Sequence, residues 1–386
     1  MTEQAFIVQA VRTAGGRRGG KLAGRHPADL AGEVLNALVD RSGIDPAAIE
    51  DVILGCVGQV GEQSFHIGRN AVMASRLPDS VPAVTIDRQC GSSQQALHFA
   101  AQAVMSGTQD MVIACGVESM TRVPMGAPVK LALDAGLGGP WSARIKARYG
   151  VEQFSQFHGA EAVAAKYGLT RADLDAFALL SHQRAAAATR DGLFADEILP
   201  IAIDGGLHAS DEGIRADSTL ASIGGVKLLT EGGVVSAANA SQICDGASGV
   251  LVVNERALKA HGLQPLARVH QMTVTAGDPV IMLEEPIPAT RRALQRAGMK
   301  MSDIDLYEVN EAFASIPLAW LRALEADPAR LNVRGGAIAL GHPLGASGTR
   351  LMTTLIHALR SSGKRYGLQT MCEGGGLTNV TIVEAL

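Results

Sequence analysis

Two of the five cysteines stand where a thiol can react. Cys90 follows the apolar run 83–86, which reads as a strand, and precedes Gly91-Ser92-Ser93, after which Leu97, Ala101, Val104 and Met105 recur at helical spacing. That order predicts a serine cap and a helix N-terminus beside the sulfur. Unpaired N–H groups and the positive end of the helix dipole stabilise a thiolate, and the same donors can hold an oxyanion. The residues alone equally allow a buried structural cysteine. Cys372 stands in Met371-Cys372-Glu373-Gly374-Gly375-Gly376, between an extended segment at 367–370 and a closing strand near 380–382. Three consecutive glycines cost chain entropy, so a close-fitting group is expected against them. Zinc is not supported at Cys372, because no second Cys or His lies at ligand spacing from it.

His342 lies in Gly341-His342-Pro343-Leu344-Gly345-Ala346-Ser347-Gly348, a glycine-dense turn before a helix expected to begin near Thr349. An imidazole there can act as a base or as a hydrogen-bond donor, or it can be incidental to a capping loop. The turn lacks GxxxxGK[ST], so it is not a phosphate-binding P-loop. Asn310 follows the apolar stretch 304–309 and opens Asn310-Glu311-Ala312-Phe313-Ala314, where its plainest role is to cap a helix. All four residues fall at ends of elements, where open α/β sheets build their sites.

The elements that must hold them alternate between short apolar runs and helix-period segments. They occur at 6–8, 30–38, 52–54, 83–86, 97–105 and 111–114, and again from 304 to the C-terminus, which is βαβ patterning of an α/β chain. A helix ending at Gly43 with Ile49 six residues on matches a helix ending at Gly298 with Ile304 six residues on, a hint of internal duplication. Residues 119–245 break the rhythm. Pro124, Pro128, Pro140 and Gly136–Gly139 read as loop, followed by helices at about 160–166 and 171–189, so this stretch reads as an insertion.

Composition bounds the rest. With 386 residues the chain is long enough for two or three packed units, and 47% apolar against 19% charged residues excludes a disordered chain. A net charge of −4 without any Lys/Arg-rich run excludes a nucleic-acid surface. The uncharged window 89–109 carries five glutamines, three serines and a histidine, so it cannot sit in lipid. No basic start precedes an apolar run at the N-terminus, and five cysteines without close pairs fit a reducing compartment, so a cytoplasmic protein is expected.

Taken together and in order, the Cys90 turn, NEAFA at 310–314, GHPLGASG at 341–348 and CEGGG at 372–376 resemble the thiolase family. SAANAS at 236–241, DGAS at 245–248 and the opening AVRTAGGRRGG extend the resemblance over essentially the whole chain. CGSSQQA and TMCEGGG look most like the thiolases of actinobacterial type used in steroid degradation. The resemblance implies a five-layered α-β-α-β-α thiolase fold from two similar halves, 1–118 with 246–266 and 267–386, with a loop domain at 119–245. It implies a homodimer or homotetramer, a 3-ketoacyl-CoA substrate, and coenzyme A as co-substrate with no tightly bound cofactor and no metal. Carried over position by position, Cys90 is the nucleophile, His342 its activating base and Cys372 the acid/base. Asn310 and His342 form one oxyanion site, and the N–H groups of Cys90 and Gly374 form the other. Ser241 and Phe313 fall to pantetheine, Arg215 and Ser222 to the adenine end. Where many thiolases carry His-Met-Gly, this chain reads Phe154-Ser155-Gln156-Phe157-His158-Gly159, so His158 takes no pantetheine contact; Glu373 also departs from the commoner small residue. A condensing ketosynthase of the same superfamily would use one Cys with two His, which Cys372 argues against. A non-catalytic acyl-CoA binder would have lost the thiols this chain retains, and an unrelated cysteine hydrolase would pass the acyl group to water rather than to CoA.

Overall fold

The computed structural model describes residues 3–386. Its strands form two sets, of five and four, that share order and directions over four strands, Ala83–Ile86 being the extra one. Ala83–Ile86, Asp51–Gly55, Met111–Ser119, Cys244–Val253 and Phe6–Thr13 lie side by side in that order, and so do Leu306–Val309, Tyr366–Glu373, Leu377–Ala385 and Ala267–Ala276. Asp51–Gly55 runs parallel to Met111–Ser119 as Leu306–Val309 does to Tyr366–Glu373, and the next two pairings are antiparallel in both sets. Even an irregularity repeats: the register slips between Ile7 and Gln9 in one half and between Val269 and Gln271 in the other. Gly43 and Gly298 end their helices at φ of 70° and 66°, and a single 3-10 turn then leads into each strand. The hint of duplication in the sequence is a duplication of structure.

Phe6 and Ile7 pair with Arg268 and Ala267, joining both sets into one eleven-stranded sheet. Helices Ser92–Ser106 and Ser347–Ser361 pack together and touch inner faces of both halves, with Leu97, Ala100, Met352 and Ile356 against Ile7, Val252 and Val383. Pro27–Ser42 and Ile67–Met73 cover the outer face of the first set. Pro286–Ala297 and Ser315–Leu324 cover that of the second. The layers therefore run helix, sheet, helix, sheet, helix, as expected. The central helices meet at their N-termini. A side chain on Gly348 would overlap the Gln94 backbone nitrogen, and the Thr349 N–H donates to Ser93 Oγ at 3.0 Å. This contact brings the turns that carry Cys90 and His342 to one place.

Between Ser119 and Cys244 the chain leaves the layers. Helices Gln156–Lys166 and Arg171–Arg190 form where the periodicity places them, the second opened by a capping box at Thr170 and Asp173. The stretch expected as loop holds two more helices, Ala127–Asp134 and Ala143–Tyr149. Pro128 does not break the first because it sits in the opening turn, where no backbone N–H is needed, and Ser142 caps the second. Among the described residues no helix is long and apolar enough to cross a membrane.

Candidate active site

Cys90 sits in a tight turn rather than under a serine cap. The helix N-cap is Gly91, without a side-chain bond. Ser92 Oγ instead accepts from the Arg88 N–H at 2.9 Å and donates to the Gln89 carbonyl at 2.6 Å, closing the turn around the cysteine. The strain falls on Gln89, at φ 50°. Burial, then the neighbouring Glu373, pushes the Cys90 thiol up to about 12. Desolvation thus outweighs the helix terminus that the sequence suggested as a thiolate stabiliser, and the resting sulfur is a neutral thiol that needs a base.

His342 is buried, its N–H donating to the Gln242 carbonyl at 3.0 Å. Ser347 Oγ donates to the Pro343 carbonyl at 2.9 Å. With its single hydrogen committed, that oxygen accepts from His342 Nδ1, 2.5 Å away. This assignment of hydrogens leaves a lone pair on Nε2, toward which Asn310 Nδ2 donates at 3.2 Å. Burial, then the Arg350 charge, holds the imidazole down to about 3, so at neutral pH it is uncharged and able to accept a proton. Sequence reading passed over Ser347; its position five residues after the histidine, in the opening turn of a helix, was the available signal. Ser347→Ala is expected to lower kcat by about 10- to 100-fold with little change in KM, as for other partners that fix a histidine's tautomer. Ser347→Thr should restore most of it in steady-state assays.

Asn310 caps no helix. The helix begins at Ser315, and Asn310 extends the preceding strand, its N–H donating to the Thr370 carbonyl at 3.0 Å. This places it beside the end of the strand that carries Cys372. The next residue, Glu311, is a buried clamp that accepts from Ser181, Asn332 and the Ile338 N–H. It ties the NEAFA segment to 332–338. Asn310 Oδ1 is buried with no protein partner, an acceptor still free in the site.

Cys372 and Glu373 end their strand and turn through Gly374–Gly376 into the last one. The glycines divide their work. Gln89 packs on Gly374, where a Cβ would come 2.9 Å from Gln89 Oε1, while Gly375 and Gly376 turn at φ 82° and 77°. Burial, then the charges of Cys90 and Glu373, holds the Cys372 thiol well above its ordinary value. The two sulfurs are therefore close enough for a charge on Cys90 to oppose ionisation of Cys372.

A cavity of about 590 Å³ runs to His342. Arg17, Arg18 and Arg215 stand along it with Ser241 and Phe313, and Phe157 packs edge-on against Phe313 at 5.7 Å between ring centres. Ser241 is held there because its N–H donates to the Ala312 carbonyl at 2.9 Å. Met125, Gln156 and Phe157, from the two stretches in which the sequence departs from simple patterning, line the same space. His158 does not; its N–H caps onto Ser155 Oγ. Ser222 lies outside the lining, its hydroxyl engaged in a capping box with Thr219. Cys90, Cys372 and Gly374 also lie off this lining, while Asn310 joins its inner end through His342. Arg17 and Arg18 went unassigned from sequence, although the doubled arginine in a glycine-rich loop was legible.

Comparison with known proteins agrees with this geometry. Residues 5–256 match the thiolase N-terminal domain and residues 263–385 the thiolase C-terminal domain. The chain is 51% identical over 388 residues to a steroid 3-ketoacyl-CoA thiolase of Mycobacterium tuberculosis, covering 100% of this chain and 95% of that protein. It is 42% identical to a beta-ketoadipyl-CoA thiolase of Pseudomonas aeruginosa, covering 97% and 98%. The crystal structure of the Bacillus anthracis acetyl-CoA acetyltransferase superposes with a TM-score of 0.90 at 34% identity, covering 100% of this chain and 99% of that one. The protein belongs to the thiolase family and is an acyltransferase of that family.

Proposed function

We propose that the enzyme runs in the degradative direction, cleaving a 3-ketoacyl-CoA with free CoA to acetyl-CoA and a shortened acyl-CoA, and that Cys90, His342, Cys372 and Asn310 carry the reaction. The observation that carries this reading is the line Ser347–His342–Asn310, which holds a neutral imidazole with its Nε2 lone pair turned to Asn310, on a turn that packs against the one carrying Cys90, while Cys90 and Cys372 oppose each other's ionisation.

The Cys90 sulfur attacks the 3-keto carbon as its proton passes to His342 Nε2. Thiol and imidazole both resist charge where they lie, so the proton moves as the sulfur–carbon bond forms and the charge passes to the keto oxygen. The N–H groups of Cys90 and Gly374 receive that oxygen. The C2–C3 bond then breaks. Its electron pair becomes the enolate of acetyl-CoA, whose oxygen is held by the now protonated Nε2 and by Asn310 through a water, and Cys372 gives its proton to C2. The incoming CoA thiol returns a proton to Cys372 and takes the acyl group, while His342 gives its proton back to the departing Cys90 sulfur. A thioester is exchanged for a thioester, so the acyl-enzyme is no deep energetic trap.

Arg17, Arg18 and Arg215 offer positive charge where the CoA phosphates would enter, with Ser241, Phe157 and Phe313 along the pantetheine path and Met125 and Gln156 toward the acyl group. Identity to a steroid 3-ketoacyl-CoA thiolase and to beta-ketoadipyl-CoA thiolases favours substrates from ring degradation over simple short chains. We place the enzyme in the cytoplasm as a homodimer or dimer of dimers, with halves bounded at 1–118 with 246–266 and 267–386. Support for assembly comes from the edge strand Ala83–Ile86, paired on one side only, with Phe65, Met73 and Phe99 exposed nearby. A panel of linear, dicarboxylic and ring-bearing 3-ketoacyl-CoA esters, followed by loss of enolate absorbance, tests the function. Cleavage that requires free CoA and is fastest with ring-derived esters is expected. Release of free acid without CoA would point to a hydrolase instead.

A further inference from the structure

Glu373 is a carboxyl that none of these steps uses. It follows Cys372 at the end of its strand, is 0% exposed, and neither carboxyl oxygen has a hydrogen-bond partner. The carboxyl lies on the α-carbon of Gly91, the residue after Cys90. A side chain on Gly91 would overlap Glu373 Oε1 and Cδ, so the glycine is what admits the acid. Glu373 is thus wedged between the two segments that carry the thiols.

The groups that bear on it leave its charge uncompensated. From the Cys90 turn come Arg88 and Cys90, from its own strand Cys372, and from the neighbouring strand the Asn379 N–H. Arg88 and the Asn379 N–H favour the anion, yet neither makes a well-aligned hydrogen bond to the carboxyl. On the adjoining helix His98 is held neutral, at about 3, by burial and then Arg88, and it is tied to Asn379 and Thr381 at 3.0 and 2.7 Å. From the first half, Glu118 and Asp87 add negative charge near Cys90. A carboxylate deprived of water and so weakly compensated takes up a proton, so burial outweighs Arg88 and the Asn379 N–H and holds Glu373 well above the usual carboxylate range.

We propose that Glu373 is a positioning residue that works as a neutral acid, keeping the surroundings of Cys90 and Cys372 uncharged at working pH and shutting the site when it ionises under alkaline conditions. The chemistry requires it. Cys372 becomes a thiolate when it gives up its proton and Cys90 becomes one as a leaving group, and a carboxylate between them opposes both, whereas a neutral carboxylic acid opposes neither. The inference rests on Cys90 and Cys372 being the reacting thiols.

Glu373→Gln keeps the shape and fixes the neutral state. The test is the pH dependence of kcat/KM for thiolysis. The wild-type enzyme is expected to lose about tenfold per pH unit on the alkaline side, as a single ionisation requires, and the Gln variant to lack that limb. Alkylation of Cys90 by iodoacetamide at the same alkaline pH should be about tenfold faster in the variant. Stability supplies an independent readout. Below about pH 4.5 folded and unfolded chains both hold the proton; above it the unfolded chain releases it while the folded chain keeps it, so the wild type loses stability as pH rises toward the folded value. The Tm of the Gln variant should therefore gain on wild type as pH rises. Should the Gln variant not fold, Glu373→Leu, also neutral and of similar size, gives the same comparison. Superimposable pH profiles, or a folded Gln variant inactive at every pH, would overturn the proposal. Cys90→Ala assayed alongside separates the two readings: if it still cleaves substrate with CoA, the choice of reacting thiols fails whatever Glu373 does.

Discussion

Replacing Cys90 by alanine is expected to lower CoA-dependent cleavage by about 10⁴-fold or more while the protein still folds. The size of the effect follows from the role: without a sulfur to hold the acyl group there is no two-step path, and the remaining donors can only bind substrate. Folding survives because the side chain is half-buried and the turn is closed by Ser92 and by the Gly91 N–H, not by the thiol. The change should cost about 1 kcal/mol or less of stability. Steady-state thiolysis and a thermal melt on the same sample check both halves. Unchanged activity would remove Cys90 from the mechanism.

Cys372→Ala should split the reaction rather than abolish it evenly. Acyl transfer from acetyl-CoA to Cys90 needs only the first thiol and His342, so labelling of Cys90 by acetyl-CoA is expected to persist. Carbon–carbon cleavage needs a proton delivered to C2 and is expected to fall by about 10²–10⁴-fold, the usual scale of a lost general acid. The structural reason for the split is that Cys372 is fully embedded at the end of its strand with its thiol held neutral, so it carries a proton to give but is a poor nucleophile. Equal loss of acylation and cleavage would mean that its removal disturbs the pocket as a whole.

Much of this was legible in the sequence because it is written in local patterns. Alternating apolar runs and helix punctuation at Gly43 and Gly298 pointed to the two halves, and the glycine-flanked Cys90, His342 and Cys372 marked ends of elements; the fold packs the turn of His342 against that of Cys90, whose charge in turn bears on Cys372. What sequence reading missed depends on contacts between distant segments. Ser347 matters because its hydroxyl is already spent on Pro343 when it meets His342. Asn310 looked like a helix cap because such caps are common, and only its pairing with Thr370 and His342 shows otherwise. The helix terminus beside Cys90 suggested an easily ionised thiol, but desolvation by the packed segments around it and the neighbouring Glu373, which no local pattern reveals, reverse that expectation. The helix Ala127–Asp134 was obscured by Pro128, a breaker everywhere in a helix except its first turn.

The central claim is that acyl groups pass through Cys90. Mixing the enzyme with a 3-ketoacyl-CoA in the absence of free CoA, quenching in acid and locating the adduct by peptide mass spectrometry tests it most directly. The shortened acyl group should be found on the peptide that carries Cys90, and adding CoA before the quench should clear it. An adduct on the Cys372 peptide, or turnover with no covalent adduct at all, would contradict the account.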